Sequence, residues 1–370
     1  MSIGHDAQTT DHGDSRTRLV RLTGPGSPPD SPLSYREQVV LPRLTTPLPV
    51  EANPFEDRIR PSEERLAALG VQVGSEIMIL RCAALMHPRV GMDDLRLVAD
   101  IFGFFFAYDD QFDGPLGWDE AGTAETVNAT KRIFAGHVPA PSSDPLNHTL
   151  MQLWEQLRLR SNGELWERIV SHTLGWLDGY RWETSLRVQQ RIPSVAEQTR
   201  ERFWTSEMSF DWEYVELTDA PFLPRAFIRH PDIQQALTGF TLIVAWGNDI
   251  VSLPRENPYN NIVYALQQER SCPLQEAIDS AYQLVLDLCD DVMARQDRLA
   301  ALAHDLRLDP FETARIQRWY ASMLLSAGGA LQWHLESGRY SQDSLHDLPS
   351  LWAGPSFSGH RAGSRQEGKP

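Results

Sequence analysis

From Ser62 onward, apolar residues recur every three to four positions almost without interruption, and runs of alternating β-branched residues are absent. Such a chain is committed to helices. The periodic stretches are Glu63 to Leu69, Met92 to Phe112, Ala121 to Ala135, Leu146 to Leu159, Gly163 to Leu186, Val195 to Glu216, Ile233 to Leu253, Pro273 to Ala300 and Pro310 to Glu336. Gly/Pro loops such as Gly136-His137-Val138-Pro139 and Asp219-Ala220-Pro221 separate them. The pattern predicts an all-α protein, and so many helices in one unit predict a single-domain bundle around a central apolar cavity.

No second composition regime divides the 370 residues, so one domain is expected over 34–345. The flanks 1–33 and 346–370 are polar or Gly/Pro-rich and too poor in apolar surface to order, and are expected to be disordered. Between flank and bundle, Leu41 to Pro54 is punctuated by Pro42, Pro47, Pro49 and Pro54, which predicts an extended arm lying along a helix.

Fifty acidic against 34 basic residues give a net charge of −16, which argues against a nucleic-acid or anionic-membrane partner. An anionic substrate would need metal ions or a focused basic patch to enter. Cys82, Cys272 and Cys289 are far apart and signal neither a disulfide framework nor a structural zinc, so a reducing cytosol is expected. No apolar run approaches a membrane span and Met1 to Arg16 has no leader-like apolar core. Nucleotide-loop, zinc-protease, hydrolase-elbow and dinucleotide motifs are all missing.

The stretch richest in chemistry is Gly103-Phe104-Phe105-Phe106-Ala107-Tyr108-Asp109-Asp110-Gln111-Phe112-Asp113. On a helix, Asp109 and Asp113 share a face one turn apart, and stacked carboxylates ask for a cation. Hard oxygen ligands suit Mg²⁺, which typically bridges carboxylate to phosphate. The bland alternative is an acidic, solvated helix end. Phe105 and Phe106 lie one turn deeper on the Asp109 face and Phe102 a turn deeper again, so they are candidates for an aromatic cavity wall, whereas Phe104 reads as plain core.

Far downstream, Trp246-Gly247-Asn248-Asp249-Ile250-Val251-Ser252-Leu253-Pro254-Arg255-Glu256 places Asn248, Ser252 and Glu256 at i, i+4 and i+8. If Pro254 is tolerated in a helix, they form one face over two turns. Amide, hydroxyl and carboxylate oxygens make a second Mg²⁺ clamp with less charge than three carboxylates, and Arg255 beside it reaches the same anion. The competing reading is a polar helix C-terminus.

Together, Asp109-Asp110-Gln111-Phe112-Asp113 and Asn248-Asp249-x-x-Ser252-x-x-Arg255-Glu256 resemble the two metal motifs of bacterial class I terpene synthases. The resemblance covers roughly residues 40 to 340. It includes His87-Pro88 before the aspartate helix, Pro193-Ser194 to Ser206 as the helix carrying a diphosphate sensor, Asn260-Asn261 after the second motif, and Arg339-Tyr340 as a C-terminal Arg-Tyr pair. It implies three Mg²⁺ ions holding the diphosphate of a linear isoprenoid, with Asp109 and Asp113 on one rim and Asn248, Ser252 and Glu256 on the other. It further implies Arg202 as the diphosphate sensor, with Arg200 as the fallback register. Arg255, Arg339 and Tyr340 complete the cradle, Asp110 orients an arginine, Ser206 presents a backbone carbonyl to substrate, and Trp333 joins Phe102, Phe105 and Phe106 around the hydrocarbon.

The implied reaction is ionisation of a prenyl diphosphate, farnesyl diphosphate in preference to geranylgeranyl diphosphate, and cyclisation of the cation. Ser326 stands where many sesquiterpene synthases have a cavity tryptophan and predicts a larger pocket, unless Trp246 or Trp212 fills it. A chain-elongating prenyl diphosphate synthase would need a second aspartate-rich motif in place of Asn248/Ser252/Glu256, and a non-enzymatic helical binding module is the remaining alternative. A homodimer is the default for such folds by analogy.

Overall fold

A computed structural model describes residues 17–23, 36–71, 73–140, 145–254 and 256–340. Fourteen α-helices run through them: α1 Ser62–Ala68, α2 Ile79–Met86, α3 Met92–Asp109, α4 Glu120–Phe134, α5 Pro145–Arg160, α6 Gly163–Gln189 and α7 Val195–Thr205. Then follow α8 Met208–Asp219, α9 Arg225–Ile228, α10 Pro231–Ser252, α11 Ile262–Arg270, α12 Leu274–Gln296, α13 Leu299–Asp305 and α14 Pro310–Glu336. The expected all-α bundle is what forms.

Local chemistry explains many of the boundaries. Ser194 with Glu197 and Asp309 with Glu312 are complete capping boxes at the starts of α7 and α14, satisfying amides that a helix start leaves unpaired. Asn162, Asn261 and Asp119 cap α6, α11 and α4. The stretch expected as one helix from Val195 to Glu216 is two: Ser206 adopts an extended backbone (φ −93°, ψ 145°) and separates α7 from α8. The stretch from Pro273 to Ala300 is α12 as far as Gln296, and the short α13 begins at its end, at Leu299, and runs beyond it to Asp305. The short α2, α9 and α11 were not anticipated, because each is brief and apolar enough that tertiary packing rather than periodicity defines it.

One departure concerns the N-terminal part. Thr17–Thr23 (β1) falls in the flank expected to be disordered, yet it pairs antiparallel with Arg36–Pro42 (β2), in register from Thr17 opposite Pro42 to Thr23 opposite Arg36. The hairpin docks on the bundle through Gln275 of α12, which donates Nε2 to the Val40 carbonyl at 3.0 Å and accepts the Val40 amide at 2.8 Å. That pairing satisfies backbone groups at the strand edge that would otherwise invite other chains. The tail 346–370 and the rest of the N-terminal flank lie outside the described residues.

The arm after β2 is extended and packs along a helix, as expected. Leu44 and Leu48 are buried, and α14 accepts the arm at Gly328, where a Cβ would stand 2.3 Å from the Pro49 carbonyl oxygen. The next residue, Gly329, does the same for α2, since a Cβ there would meet the Leu85 carbonyl at 2.1 Å. Two consecutive glycines thus seat α14 between arm and α2. Asn53 then anchors the arm's end, its side-chain amide donating to the carbonyls of His87 and Val90 at 2.8 and 3.0 Å.

Candidate active site

One cavity of about 330 Å³ opens between α3, α6, the α7–α8 break, α10 and α14. Asp109, Asp113, Asn248, Ser252 and Glu256 all line it, and so do Arg202, Arg339, Tyr340, Ser206, Phe102, Phe105, Phe106 and Trp333. Phe104 does not: it is buried behind Phe105 and Tyr108. Arg255 lies outside the described residues.

The aspartate rim is the worn end of a helix. α3 stops at Asp109, and Asp110–Phe112 continues as a 3-10 turn. A tighter turn rotates Asp113 further round than the straight α-helix expected from the spacing, although both carboxylates still face the cavity. Tyr180 of α6 donates its hydroxyl to Asp109 at 3.1 Å. Arg339 Nη2 lies 3.7 Å from Asp109, and both Nη1 and Nη2 donate to Asp110 Oδ1 at 3.0 Å. Asp110 and Arg339 are thus a close ion pair at this rim.

Asp109 exposes 40 % of its side chain to the cavity mouth, yet enclosing protein and the neighbouring carboxyls of Asp113, Asp110 and Glu183 push it up to about 7, against the pull of Arg339. Burial is the largest cause, and like charge crowded around the group adds to it. A divalent cation relieves both.

The opposite rim is embedded rather than exposed. α10 ends at Ser252, and Leu253 and Pro254 turn the chain instead of extending the helix through Pro254 as the i, i+4, i+8 spacing required. Glu256 is nevertheless returned beside Ser252, because its amide bonds the Ser252 carbonyl at 3.1 Å. Asn248 donates Nδ2 to the Tyr340 hydroxyl at 2.7 Å. Ser252 Oγ is buried without a hydrogen bond of good geometry, the Glu256 carboxyl being the group nearest in influence. Burial and the Asp249 carboxylate push Glu256 up to about 7, opposed by Arg202, Ser252 and Asn261.

Asp249, the second residue of this motif, faces away from the rim and organises it. It is fully buried, pairs with Arg202 Nη2 at 2.6 Å, and accepts from Gln198 Nε2 at 3.1 Å and the Ile262 amide at 2.8 Å. Arg202 is thus delivered to the cavity with its Nε left without a partner. The fallback Arg200 is largely exposed and pairs with Glu201, whereas Arg202 lines the cavity.

The donor set fits hard divalent cations. Both rims offer oxygen atoms only, each has a carboxyl that burial and a neighbouring carboxylate push up to about 7, and Ser252 Oγ is a buried oxygen without a hydrogen-bond partner. Among the described residues no three His, Cys, Asp or Glu side chains converge into a cage. Each rim therefore leaves coordination positions for water and substrate oxygens.

Below the rims the wall is aromatic. Phe105 stacks on Phe210 at 4.2 Å and meets Trp176 edge-on at 4.8 Å, while Phe106 lies 5.3 Å from Trp333 and under the Arg339 guanidinium. Ser326 is fully buried but does not line the cavity; Ala330, one turn on, does. The enlarged pocket expected from Ser326 is therefore not formed. Trp246 and Trp212 are also kept out, their indole N–H groups donating to Gln198 and Thr241.

Several cavity residues escaped sequence reading. On α6, Glu183 and Arg187 line it one turn apart, with Arg187 Nη2 donating to Glu183 at 3.1 Å and Asn260 donating to the other Glu183 oxygen, while Tyr180 reaches the site through its bond to Asp109. The signal was an i, i+4 acid–base pair continuing an aromatic face, which surface helices also carry. Glu207 and Asp211, one turn apart at the start of α8, were overlooked for the same reason.

Two oxygen-rich rims thus face each other across an aromatic, helix-walled cavity. The family model for terpene synthase family 2, C-terminal metal binding, matches residues 100–291, a stretch that holds both motifs. The chain belongs to this terpene synthase family, and its metal-binding region implies dependence on a divalent metal. It is 29 % identical over 206 residues to the (+)-T-muurolol synthase of Roseiflexus castenholzii, a farnesyl diphosphate cyclising enzyme; 55 % of this chain is aligned, and just under two thirds (63 %) of that relative. It is 26 % identical over 348 residues to the pristinol synthase of Streptomyces pristinaespiralis, covering 88 % of this chain and 90 % of the relative. In fold it matches the crystal structure of germacradien-4-ol synthase from Streptomyces citricolor with a TM-score of 0.70 at 23 % identity, over 79 % of this chain and 97 % of that one. Among the described residues no helix is long and apolar enough to cross a membrane.

Proposed function

We propose that this protein is a Mg²⁺-dependent sesquiterpene cyclase that ionises farnesyl diphosphate and closes the resulting cation into a ring. The observation that carries the reading is that both oxygen rims, three cationic or hydroxyl donors and the aromatic wall all line one cavity. Asp109 and Asp113 would hold Mg²⁺ on one rim, and Asn248, Ser252 and Glu256 on the other. When bound, these ions neutralise the diphosphate and stabilise the charge that develops as it departs.

The chain's own groups do the rest. Arg202 and Arg339 present guanidinium N–H groups to phosphate oxygens, each already oriented by a carboxylate, Asp249 and Asp110 respectively. Tyr340, bound to Asn248, joins the two rims and narrows the mouth against water. Phe105, Phe106 and Trp333 supply π-faces worth roughly 2 kcal/mol or more each to a desolvated cation, and no nucleophile. The acidic surface of the chain makes the metal ions necessary for an anionic substrate to approach.

Farnesyl diphosphate is favoured over the C20 substrate because the feature that argued for extra room, Ser326, lies outside the cavity wall. The farnesyl-cyclising relative supports the same choice. Incubation of the protein with Mg²⁺ and either prenyl diphosphate, with products separated by gas chromatography and mass spectrometry, tests this. Cyclic C15 product with release of diphosphate is expected. A longer diphosphate, or a kcat/KM favouring geranylgeranyl diphosphate, would overturn it.

A further inference from the structure

Holding and releasing a diphosphate does not use every polar group on the cavity wall. Asp211 lies in the first turn of α8, is 1 % exposed, and lines the cavity together with Cys82, Met86, Phe102 and Phe210. Its Oδ1 lies 3.3 Å from His87 Nε2; a carboxylate oxygen only accepts, so the ring proton sits on Nε2. Its Oδ2 is buried and has no hydrogen-bond partner. Leaving a buried acceptor unsatisfied costs about 1–3 kcal/mol, more when it is charged. Asp211 lines the cavity, and this oxygen is an unsatisfied acceptor within its wall.

The pair is built into the fold rather than attached to it. His87 follows α2, its amide bonding the Ala83 carbonyl at 2.8 Å and its carbonyl accepting from Asn53, while its ring lies 5.9 Å from Phe102. Phe102 is seven residues before Asp109, about 10 Å deeper along α3 at 1.5 Å per residue. Asp211 therefore stands at the deep end, well away from the metal rims. The neighbouring wall there is otherwise mostly apolar, with the Cys82 thiol and, one turn back on α8, Glu207 as further polar neighbours.

We propose that Asp211, steadied by His87, seats the water that terminates the reaction, so that the enzyme releases a cyclic alcohol. This rests on the cyclase reading above. In the terminating step a lone pair of the water oxygen forms a C–O bond to the cationic carbon. One O–H bond breaks, its electron pair stays on oxygen, and the proton passes to Asp211 Oδ2. The carboxylate becomes a carboxylic acid as the cation becomes a neutral alcohol, so charge balances within the cavity. Asp211 acts on the water directly, and His87 is a positioning residue.

The test is turnover of farnesyl diphosphate with Mg²⁺ in H₂¹⁸O by the full-length protein, with diphosphate release followed in parallel. Wild-type protein is expected to give a cyclic alcohol two mass units heavier than in ordinary water. In Asp211→Asn the ratio of alcohol to hydrocarbon among the products should fall by about 100-fold, the scale of a lost general base. His87→Gln, which keeps a donor but not the ring, should shift the ratio the same way by less, and it serves if Asp211→Asn does not fold. Hydrocarbon alone from the wild type, an alcohol without ¹⁸O, or an unchanged ratio in the variants would each overturn the proposal while leaving the cyclase reading intact. Absence of diphosphate release from the wild type would instead remove the cyclase reading and this inference with it.

Discussion

The two rims of the cavity are made of similar atoms held in opposite ways. The aspartate rim sits where α3 loosens into a 3-10 turn; its carboxylates reach the cavity mouth, and its one strong organiser, Arg339, arrives from the far C-terminal end of the described chain. The Asn/Ser/Glu rim sits on buried backbone, braced from behind by Asp249, Arg202, Gln198 and Asn261. One rim is an electrostatic lure that can adjust as ions arrive. The other is preorganised, and its strength comes from a buried network in which only Arg202 also reaches the cavity.

The largest effects test the shared task. Asp109→Ala and Asn248→Ala should each lower kcat/KM by more than the about 10- to 100-fold that losing a mere supporting partner of a metal site costs. Helical content by circular dichroism should be unchanged in Asp109→Ala. Near wild-type turnover in either variant would show that the two rims do not act together.

The next effect separates the rims by stability. Arg202→Ala strands the buried Asp249 carboxylate and should cost about 3–5 kcal/mol in urea unfolding as well as activity. Arg339→Ala leaves the partly exposed Asp110 in water and should cost about 1 kcal/mol or less, while still impairing turnover. Equal losses of stability would erase the distinction between a lure and a scaffold. The double variant Arg202→Ala/Asp249→Ala should recover part of the lost stability but none of the activity, because the uncompensated charge is gone and the phosphate donor with it.

Legibility in the sequence followed the same divide. The aspartate rim was readable as residue types at helical spacing: Phe102, Phe105, Phe106 and Asp109 fall where the 3.6-residue period puts them. The second rim was readable in composition but not in path, since Pro254 ends the helix and a turn returns Glu256 to Ser252. Asp249 as an organiser was invisible, because nothing local distinguishes a buried brace from a ligand one residue away. Ser326 failed for a geometric reason: α14 turns it toward the surrounding core, and Ala330 and Trp333 face the cavity instead. The β1–β2 hairpin failed because its stabilising partner, Gln275, is 235 residues from Val40.

The smallest effect concerns protons. Asp109 and Glu256, one on each rim, are both held up to about 7, and Glu216, buried beside Glu213 and salt-bridged to Arg168 outside the cavity, is held there too. A carboxyl whose folded-state pKa is raised binds more protons folded than unfolded. Its contribution to stability is therefore greatest below the unfolded value near 4 and is lost as pH rises toward 7. Without metal, the melting temperature should fall between about pH 4 and about pH 7. Saturating Mg²⁺ should remove the share due to Asp109 and Glu256, because a bound cation favours the charged form, and leave the share due to Glu216, whose charge partner is Arg168. Glu216→Gln should remove the remainder. A pH slope that Mg²⁺ leaves unchanged would mean that the rim carboxyls are not where the ions go, and the contrast between the two rims would have to be explained by packing alone.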